Sequence, residues 1–228
     1  LAQMYARGEI DPEFGVKEIA KVAETIVAGK IGMEYGAQWN PMYPLIGNHL
    51  EDPSADWTGY PLVSHDEKVA RTPGRIMATR FLAVRNDFEH PEALVRMLNV
   101  HDEKCWGEDN DFNRYYMPKE NGSVGVWKLS PVHPAPPNKN MESFLELDAA
   151  RQNNTLDKLT GEAATIHRNI EAYMMGDETQ WGWERIYGIN GVMRWAIHYR
   201  DLDLMRKDAF ASAPTRTMVE RKATLEKL

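Results

Sequence analysis

Apolar residues recur at intervals of three and four along much of the chain, which is the spacing of one face of an α-helix. The clearest case is the segment 16–29, which ends at Gly29 and whose apolar positions are Val16, Ile19, Ala20, Ala23, Ile26 and Val27. The same spacing predicts further helices over residues 1–8, 41–50, 90–105, 140–153, 160–175, 191–200 and from about 217. Asn40 is a candidate cap for the helix that begins at Pro41.

Short extended patterns separate some of these helices. They predict strands at residues 31–35, 60–64 and 76–84. The segments 106–139 and 176–191 follow neither period, and we expect loops there, with a short helix inside the second. Helices alternating with strands predict an α/β fold that is rich in helix.

Composition and charge exclude several classes of protein. Of the 228 residues, 43% are hydrophobic, which is too many for a disordered chain. No window approaches 18 consecutive apolar residues, so we predict no membrane-spanning helix. Acidic residues exceed basic ones by 34 to 27, and a net charge of -7 argues against a nucleic-acid binder. A single cysteine, Cys105, excludes an internal disulfide.

Motifs for catalysis and cofactor binding are missing from the sequence. It contains no P-loop, no glycine fingerprint for dinucleotides, no His-Glu-x-x-His and no Gly-x-Ser-x-Gly. No pair of acidic residues has the setting that a glycosidase needs. His101 and Cys105 are four residues apart on a predicted helix, but two ligands without a third make a weak metal site. A buried cysteine and an exposed histidine are the favoured interpretation. We therefore expect no catalytic residue, no cofactor and no metal.

One acidic segment has part of the spacing of a calcium-binding loop. Asp109, Asp111 and Asn113 occupy positions 1, 3 and 5, and Glu120 occupies position 12. Position 6 is Arg114, where such a loop needs glycine for its sharp turn. A solvated acidic loop is the favoured interpretation, and calcium binding stays open.

The block from Gly29 to Trp39 is the most informative part of the sequence. A helix ends at Gly-Lys, a predicted strand follows, and then come Gly36 and Trp39. Open α/β sheets bind ligands at the carboxyl ends of their strands. An indole beside the amides of Gln38 and Asn40 has the chemistry of a sugar site, because the ring stacks on C–H groups and amides bond hydroxyls. A tryptophan that only closes the core is an equally good interpretation.

This block and the segments after it resemble the extracellular solute-binding proteins of ABC importers. The closer resemblance is to the lipoprotein-type branch of family 1 in Gram-positive bacteria, which is linked to oligosaccharide uptake. The matching segments occur in family order over nearly the whole chain. They are residues 22–33 (VAETIVAGKIGM), 38–40 (QWN), 56–61 (DWTGYP), 90–95 (HPEALV), 126–132 (VWKLSPV) and 213–220 (APTRTMVE).

The resemblance implies the later part of a type II periplasmic-binding-protein fold, in which two hinged lobes close on a ligand. Residues 1–75 would belong to the second lobe. Residues 76–209 would hold the hinge crossing and part of the first lobe with insertions, and residues 210–228 the return crossing and the start of the second lobe's C-terminal helices. The protein's start, a signal peptide and a lipid-modified cysteine other than Cys105 would lie outside the chain.

The same resemblance implies a binding protein and not an enzyme. It would capture an oligosaccharide or another small solute between its lobes and deliver it to the membrane permease subunits of the importer. It would be extracellular, anchored to the cell surface by lipid. The family's stacking tryptophan corresponds to Trp39, and the other expected ligand-binding residues are Gln38, Asn40, Trp181, Trp183, Arg185, Arg80 and Thr217.

Three alternatives remain open. A carbohydrate-active enzyme would place a pair of carboxylates across an aromatic cleft. A peptide-binding protein of the same architecture would pair with the peptide backbone and would not need Trp39. A surface interaction module would have a featureless cleft.

Overall fold

A computed structural model describes residues 2–66, 68–74, 81–118, 125–207 and 215–225. These residues are 53% helical and contain little strand. The helices are α1 (Ala2–Ala6), α2 (Ile19–Val27), α3 (Leu45–Glu51), α4 (Glu92–Trp106), α5 (Phe112–Tyr115), α6 (Lys139–Asn153), α7 (Gly161–Met174), α8 (Trp181–Tyr187), α9 (Met193–Asp201) and α10 (Arg216–Leu225). The strands are β1 (Thr72–Gly74) and β2 (Met205–Lys207).

The chain divides into two compact units. The first unit consists of residues 1–61 and 90–197, and the second of residues 62–89 and 198–228. These boundaries differ from those predicted after residues 75 and 209. The predicted boundaries concern the lobes of a longer protein and stay a prediction.

The helices predicted from periodicity are confirmed, with ends shifted by a few residues. Helix α2 ends in a Schellman motif, in which Lys30 N donates to Thr25 O at 3.1 Å and Gly29 N donates to Ile26 O at 2.9 Å. Gly29 has a φ of 67°, in the left-handed region that glycine adopts without steric cost. The predicted helix over residues 41–50 is divided into a 3₁₀ turn at Asn40–Met42 and α3.

The described residues of the first unit form three buried apolar clusters. The largest joins α6, α7, α8 and α9 through Phe144, Leu147, Ile166, Ile170, Ile186, Tyr187 and Met193. The second joins α2, α3 and α8 through Ile26, Leu45 and Trp181. The third joins α4 and α5 and the turn after α5 through Cys105, Phe112 and Tyr116. Helix α8 thus belongs to two of the three clusters and lies at the centre of the unit.

The second unit is small and contains the only strand pairing of the described residues. Strand β1 pairs in parallel with β2, with Thr72 opposite Met205 and Gly74 opposite Lys207. Leu204, immediately before β2, is buried, and Leu62 N donates a 2.7 Å hydrogen bond to Tyr199 Oη.

The strands predicted at residues 31–35 and 60–64 are wrong. Both segments lie in the described part of the chain, and neither belongs to a sheet. An extended segment becomes a strand only when a neighbour accepts and donates its backbone hydrogen bonds, and no described segment does so here. Most of the strand predicted at residues 76–84 lies outside the described residues, and residues 81–84 are not in a sheet.

Candidate functional site

Trp39 lies at the surface of the first unit, in the turn before the 3₁₀ segment Asn40–Met42. Its side chain is 52% exposed, which leaves the indole accessible to a ligand. Gln38, beside it, is partly exposed. Both side chains can therefore be reached from solvent, and their role in ligand binding stays a prediction.

Asn40 has a different position from the one predicted. Its side chain does not cap a helix. Instead its Oδ1 accepts from Ala37 N at 3.1 Å and its Nδ2 donates to Glu34 Oε1 at 2.6 Å. The amide therefore closes the turn of residues 34–40 from within, and both ends of its side chain are already bonded.

Gly36 permits this arrangement because of its position against the Asn40 amide. A Cβ atom at residue 36 would lie 2.1 Å from Asn40 Nδ2 and 3.1 Å from Glu34 Oε1. The first distance is impossible for real atoms, so any side chain at this position would displace the bond between Glu34 and Asn40.

The turn is fixed to the core by a close backbone contact with α8. Pro41 is buried, and a Cβ atom at Gly182 would lie 2.8 Å from Pro41 O and 3.2 Å from Met42 Cα. Backbone atoms cannot move aside as a flexible side chain can. Glycine at residue 182 thus lets α8 lie directly against the segment that carries Trp39.

Trp181 is a core residue. Its side chain is 0% exposed, and its indole Nε1 has no hydrogen-bond partner. The imidazole of His49 stacks on its ring, with centroids 4.8 Å apart. A ligand does not reach Trp181 in this conformation, so its predicted role in ligand binding has no support from its position.

Trp183 and Arg185 both lie on α8, and the side chain of each is partly buried. Trp183 is partly buried against the cluster of α6 to α9 and lies 6.1 Å, centroid to centroid, from Tyr187. Arg185 forms an ion pair with Asp56, and its guanidinium lies 5.5 Å from the centre of the Trp181 ring. Its charge is therefore already matched by a carboxylate of the same unit.

The two remaining predicted residues lie outside the described part of the first unit. Arg80 lies outside the described residues. Thr217 is exposed on α10, which belongs to the second unit. Of the predicted residues in the first unit, Gln38, Trp39 and Asn40 lie together, as consecutive residues must.

The other tryptophans pack against the protein. Trp57 Nε1 donates to Asn48 Oδ1, Trp106 Nε1 to Pro134 O and Trp195 Nε1 to Gly59 O. Trp127 lies against Tyr116, with ring centroids 6.0 Å apart.

A cavity open to solvent lies between α2 and α3. It has a volume of about 910 Å³, and its lining includes Ala23, Val27, Tyr43, Asn48 and Glu51. None of the predicted ligand-binding residues lines it. The exposed indole of Trp39 is therefore a surface feature separate from this cavity.

The described residues among the candidate metal ligands do not form a site. Within the described ranges, no group of three or more His, Cys, Asp or Glu side chains could hold a metal ion. In the acidic segment, Asp111 caps α5 by accepting from Arg114 N at 3.1 Å, and Glu120 lies outside the described residues. Helix α5 replaces the middle of the loop that calcium binding would require.

His101 and Cys105 are both buried on α4. His101 Nδ1 lies 3.3 Å from Ser130 Oγ, while its Nε2 has no partner. Burial, and then the nearby His133, lowers the pKa of His101. Burial raises the pKa of the Cys105 thiol. Both side chains are thus favoured in their neutral forms, and the sequence expectation of an exposed histidine is wrong.

The sequence did not single out Glu34 or Gly182. Nothing in the pattern marks Glu34, because its bond to Asn40 depends on how the turn folds back. Gly182 lies between two tryptophans, and a glycine inside a helix often marks close packing. That signal was available for Gly182 and not for Glu34.

The comparisons with protein-family models, curated proteins and solved structures found no match to this chain. No helix in the described ranges has both the length and the apolar character needed to cross a membrane.

Proposed function

We propose that this chain is part of an extracellular solute-binding protein of an ABC importer, with a type II periplasmic-binding-protein fold. In this proposal it captures an oligosaccharide on a surface centred on Trp39 and delivers it to the membrane permease subunits. The full-length protein would be anchored to the cell surface by lipid. The protein binds its ligand without altering it chemically.

The observation that carries the proposal is the half-exposed indole of Trp39 on a turn fixed from two sides. The hydrogen bonds of Asn40 hold the turn from within, and the contact of Gly182 with Pro41 holds it against α8. An exposed aromatic ring on a rigid support loses little conformational entropy when a ligand stacks on it. The second argument is that the segments resembling the family occur in family order along the chain. That resemblance connects the Trp39 surface with a transport function.

The chemistry of the surface suits a sugar. The face of an indole is apolar and carries a partial negative charge, which attracts the C–H groups of a pyranose ring. Gln38 supplies one amide for hydroxyl groups. A ligand shifts the populations of two conformations only as far as its affinities for them differ. Closure of the two lobes would therefore require ligand contacts beyond Trp39 that form only in the closed conformation.

The test is isothermal titration calorimetry of the 228-residue chain against a panel of neutral and acidic oligosaccharides. We expect at least one sugar of the panel to bind, and Trp39→Ala to weaken its binding by about twofold to tenfold, since stacking on an aromatic ring is worth about 0.5–1.5 kcal/mol. Tyr60→Ala is the matched control, because Tyr60 is an aromatic residue that is 81% exposed.

Three outcomes would contradict the proposal. The first is that no sugar in the panel binds, and the second is that a bound sugar is unaffected by Trp39→Ala. The third is hydrolysis of a sugar in the panel, detected by chromatography, which would favour the carbohydrate-active enzyme. Binding of peptides without dependence on Trp39 would favour the peptide-binding alternative.

A further inference from the structure

We infer that Glu34 positions the Trp39 surface and gives it a preference for uncharged over anionic sugars. The preference for sugars rests on the proposed function, whereas the positioning and the local charge do not. Glu34 was not among the residues expected from the sequence, and it does not need to touch the ligand to act.

The positioning follows from the hydrogen bonds of the turn. Glu34 Oε1 accepts from Asn40 Nδ2 at 2.6 Å, and Asn40 Oδ1 accepts from Ala37 N at 3.1 Å. These bonds link the beginning of the turn to the residue directly after Trp39. Because consecutive Cα atoms are about 3.8 Å apart, the anchored Asn40 leaves the Trp39 backbone little freedom.

The bond between Glu34 and Asn40 also occupies one of the two N–H groups of the Asn40 amide. That side chain was expected to bond sugar hydroxyls, but its Nδ2 and Oδ1 both have partners within the turn. Asn40 is therefore a positioning residue in this arrangement. Gln38 is the amide left beside the indole.

The charge preference follows from the surroundings of the Glu34 carboxylate. Glutamate carries a negative charge at neutral pH. Among the ion pairs of the described residues, none involves Glu34. Arg185, the cation expected to bind a ligand carboxylate, is paired with Asp56. A uronate on the Trp39 face would thus meet a nearby negative charge that no described cation neutralises by direct contact.

Two substitutions at residue 34 separate charge from position. Glu34→Gln keeps an oxygen that can accept from Asn40 and removes the charge. Glu34→Ala removes both the bond and the charge. Gly36→Ala disturbs the bond and keeps the charge, because its Cβ would lie 2.1 Å from Asn40 Nδ2. Gly32→Ala is the matched control, since a Cβ there would meet nothing within 4 Å.

The first experiment needs no ligand. Tryptophan fluorescence is quenched with iodide, caesium and neutral acrylamide, and the contribution of Trp39 is taken as the difference between each protein and the same protein carrying Trp39→Phe. We expect Glu34→Gln to increase iodide quenching and decrease caesium quenching, with acrylamide unchanged. Glu34→Ala and Gly36→Ala should change acrylamide quenching, and Gly32→Ala should not.

The second experiment compares the affinity of a neutral oligosaccharide with that of its uronate analogue by calorimetry. Glu34→Gln should improve the affinity for the uronate by about twofold to fivefold relative to the neutral sugar, which is the effect of one charge at about 4–8 Å in water. Glu34→Ala and Gly36→Ala should both weaken the binding of the neutral sugar.

The two experiments also tell the inference apart from the proposed function. If Glu34→Gln leaves iodide and caesium quenching unchanged, the charge preference is wrong. If Glu34→Ala and Gly36→Ala both leave acrylamide quenching unchanged, the positioning role is wrong. If quenching changes as expected but no sugar binds to any of the proteins, the inference about Glu34 stands. The proposed function is then wrong.

Discussion

His49 lies flat against Trp181, with ring centroids 4.8 Å apart and ring planes 16° apart. The Nε2 of this imidazole lies 2.8 Å from Glu178 Oε2, and its Nδ1 lies 3.3 Å from Ala55 O. The side chain of His49 therefore connects α3 with α8 and with the segment before α8. The predicted ligand residue Trp181 is instead a structural centre of the first unit.

We expect Trp181→Ala to lower the free energy of unfolding by about 3–5 kcal/mol, because removing a fully buried large side chain loses its apolar contacts and leaves a cavity. Urea unfolding followed by circular dichroism measures the change. Trp39→Ala serves as control, since its 52% exposed side chain should cost about 1 kcal/mol or less. Equal losses for the two variants would contradict the assignment of Trp181 to the core.

Gly29→Ala should destabilise the protein by about 1–2 kcal/mol through backbone strain, because residue 29 has a φ of 67°. Crowding adds little, as the new Cβ would lie 3.6 Å from Asn48 Nδ2, an ordinary contact distance. The shift in melting temperature measures the effect. Gly32→Ala should leave the melting temperature nearly unchanged, and a similar loss in both variants would argue against the Schellman motif as the cause.

Acid should destabilise the first unit through His101. Its pKa is lowered in the folded protein, mainly by burial, from an ordinary value of 6.5. The unfolded chain therefore takes up a proton first as the pH falls below about 6.5, and stability is lost from there down to the folded pKa. Above that range His101 is neutral in both states and has no effect.

Melting temperatures at about pH 8 and about pH 5 check this expectation. His101→Leu removes the titrating group, so its melting temperature should fall less between the two pH values than that of the unchanged protein. His65 is an exposed histidine, so the melting temperature of His65→Leu should fall as much as that of the unchanged protein. A fall in His101→Leu as large as in the unchanged protein would contradict this role.

The ion pair between Lys139 and Glu162 should contribute more to stability than the surface pairs. Lys139 Nζ lies 2.5 Å from Glu162 Oε1, and their side chains are only 19% and 13% exposed. Glu162→Gln leaves the lysine charge without its carboxylate and also weakens the 3.2 Å bond that Ser143 Oγ donates. We expect a loss of about 1.5–3 kcal/mol, the range for hydrogen bonds to charged groups.

Urea unfolding at neutral pH tests this pair. Glu9→Gln is the control, because it breaks the exposed pair with Arg7 and should have no measurable effect. The double substitution Lys139→Met with Glu162→Leu should recover part of the loss, since replacing both charges removes the unpaired one. No loss in Glu162→Gln would mean that solvent screens the pair.

The helices could be predicted from the sequence because their hydrogen bonds and amphipathic period are local. The α2 segment shows this, since its apolar positions and Gly29 give both the helix and its end. The strands could not be predicted, because the extended pattern at residues 31–35 says nothing about whether another segment lies beside it. The feature of this segment that favoured a strand is its apolar residues before a glycine, and loops have that feature too.

For the candidate site, the sequence marked Trp39 as an indole beside polar amides, but it could not rank the tryptophans by exposure. Trp39 and Trp181 both lie beside short polar or glycine residues, yet one is 52% exposed and the other 0%. Exposure depends on which helices pack over a side chain, and that is a property of distant parts of the chain.

The sequence by itself determined where the helices form, how α2 ends, and that a tryptophan follows Gly36 in a turn with amide neighbours. These features depend on residues within a few positions of one another. Only the tertiary structure decided that Trp181 lies in the core, that Arg185 pairs with Asp56 and that Asn40 is bonded to Glu34. The first two depend on contacts between residues more than a hundred positions apart, and the third on the path of a turn. The free energies of packing and of pairing select such contacts only after the local elements have come together.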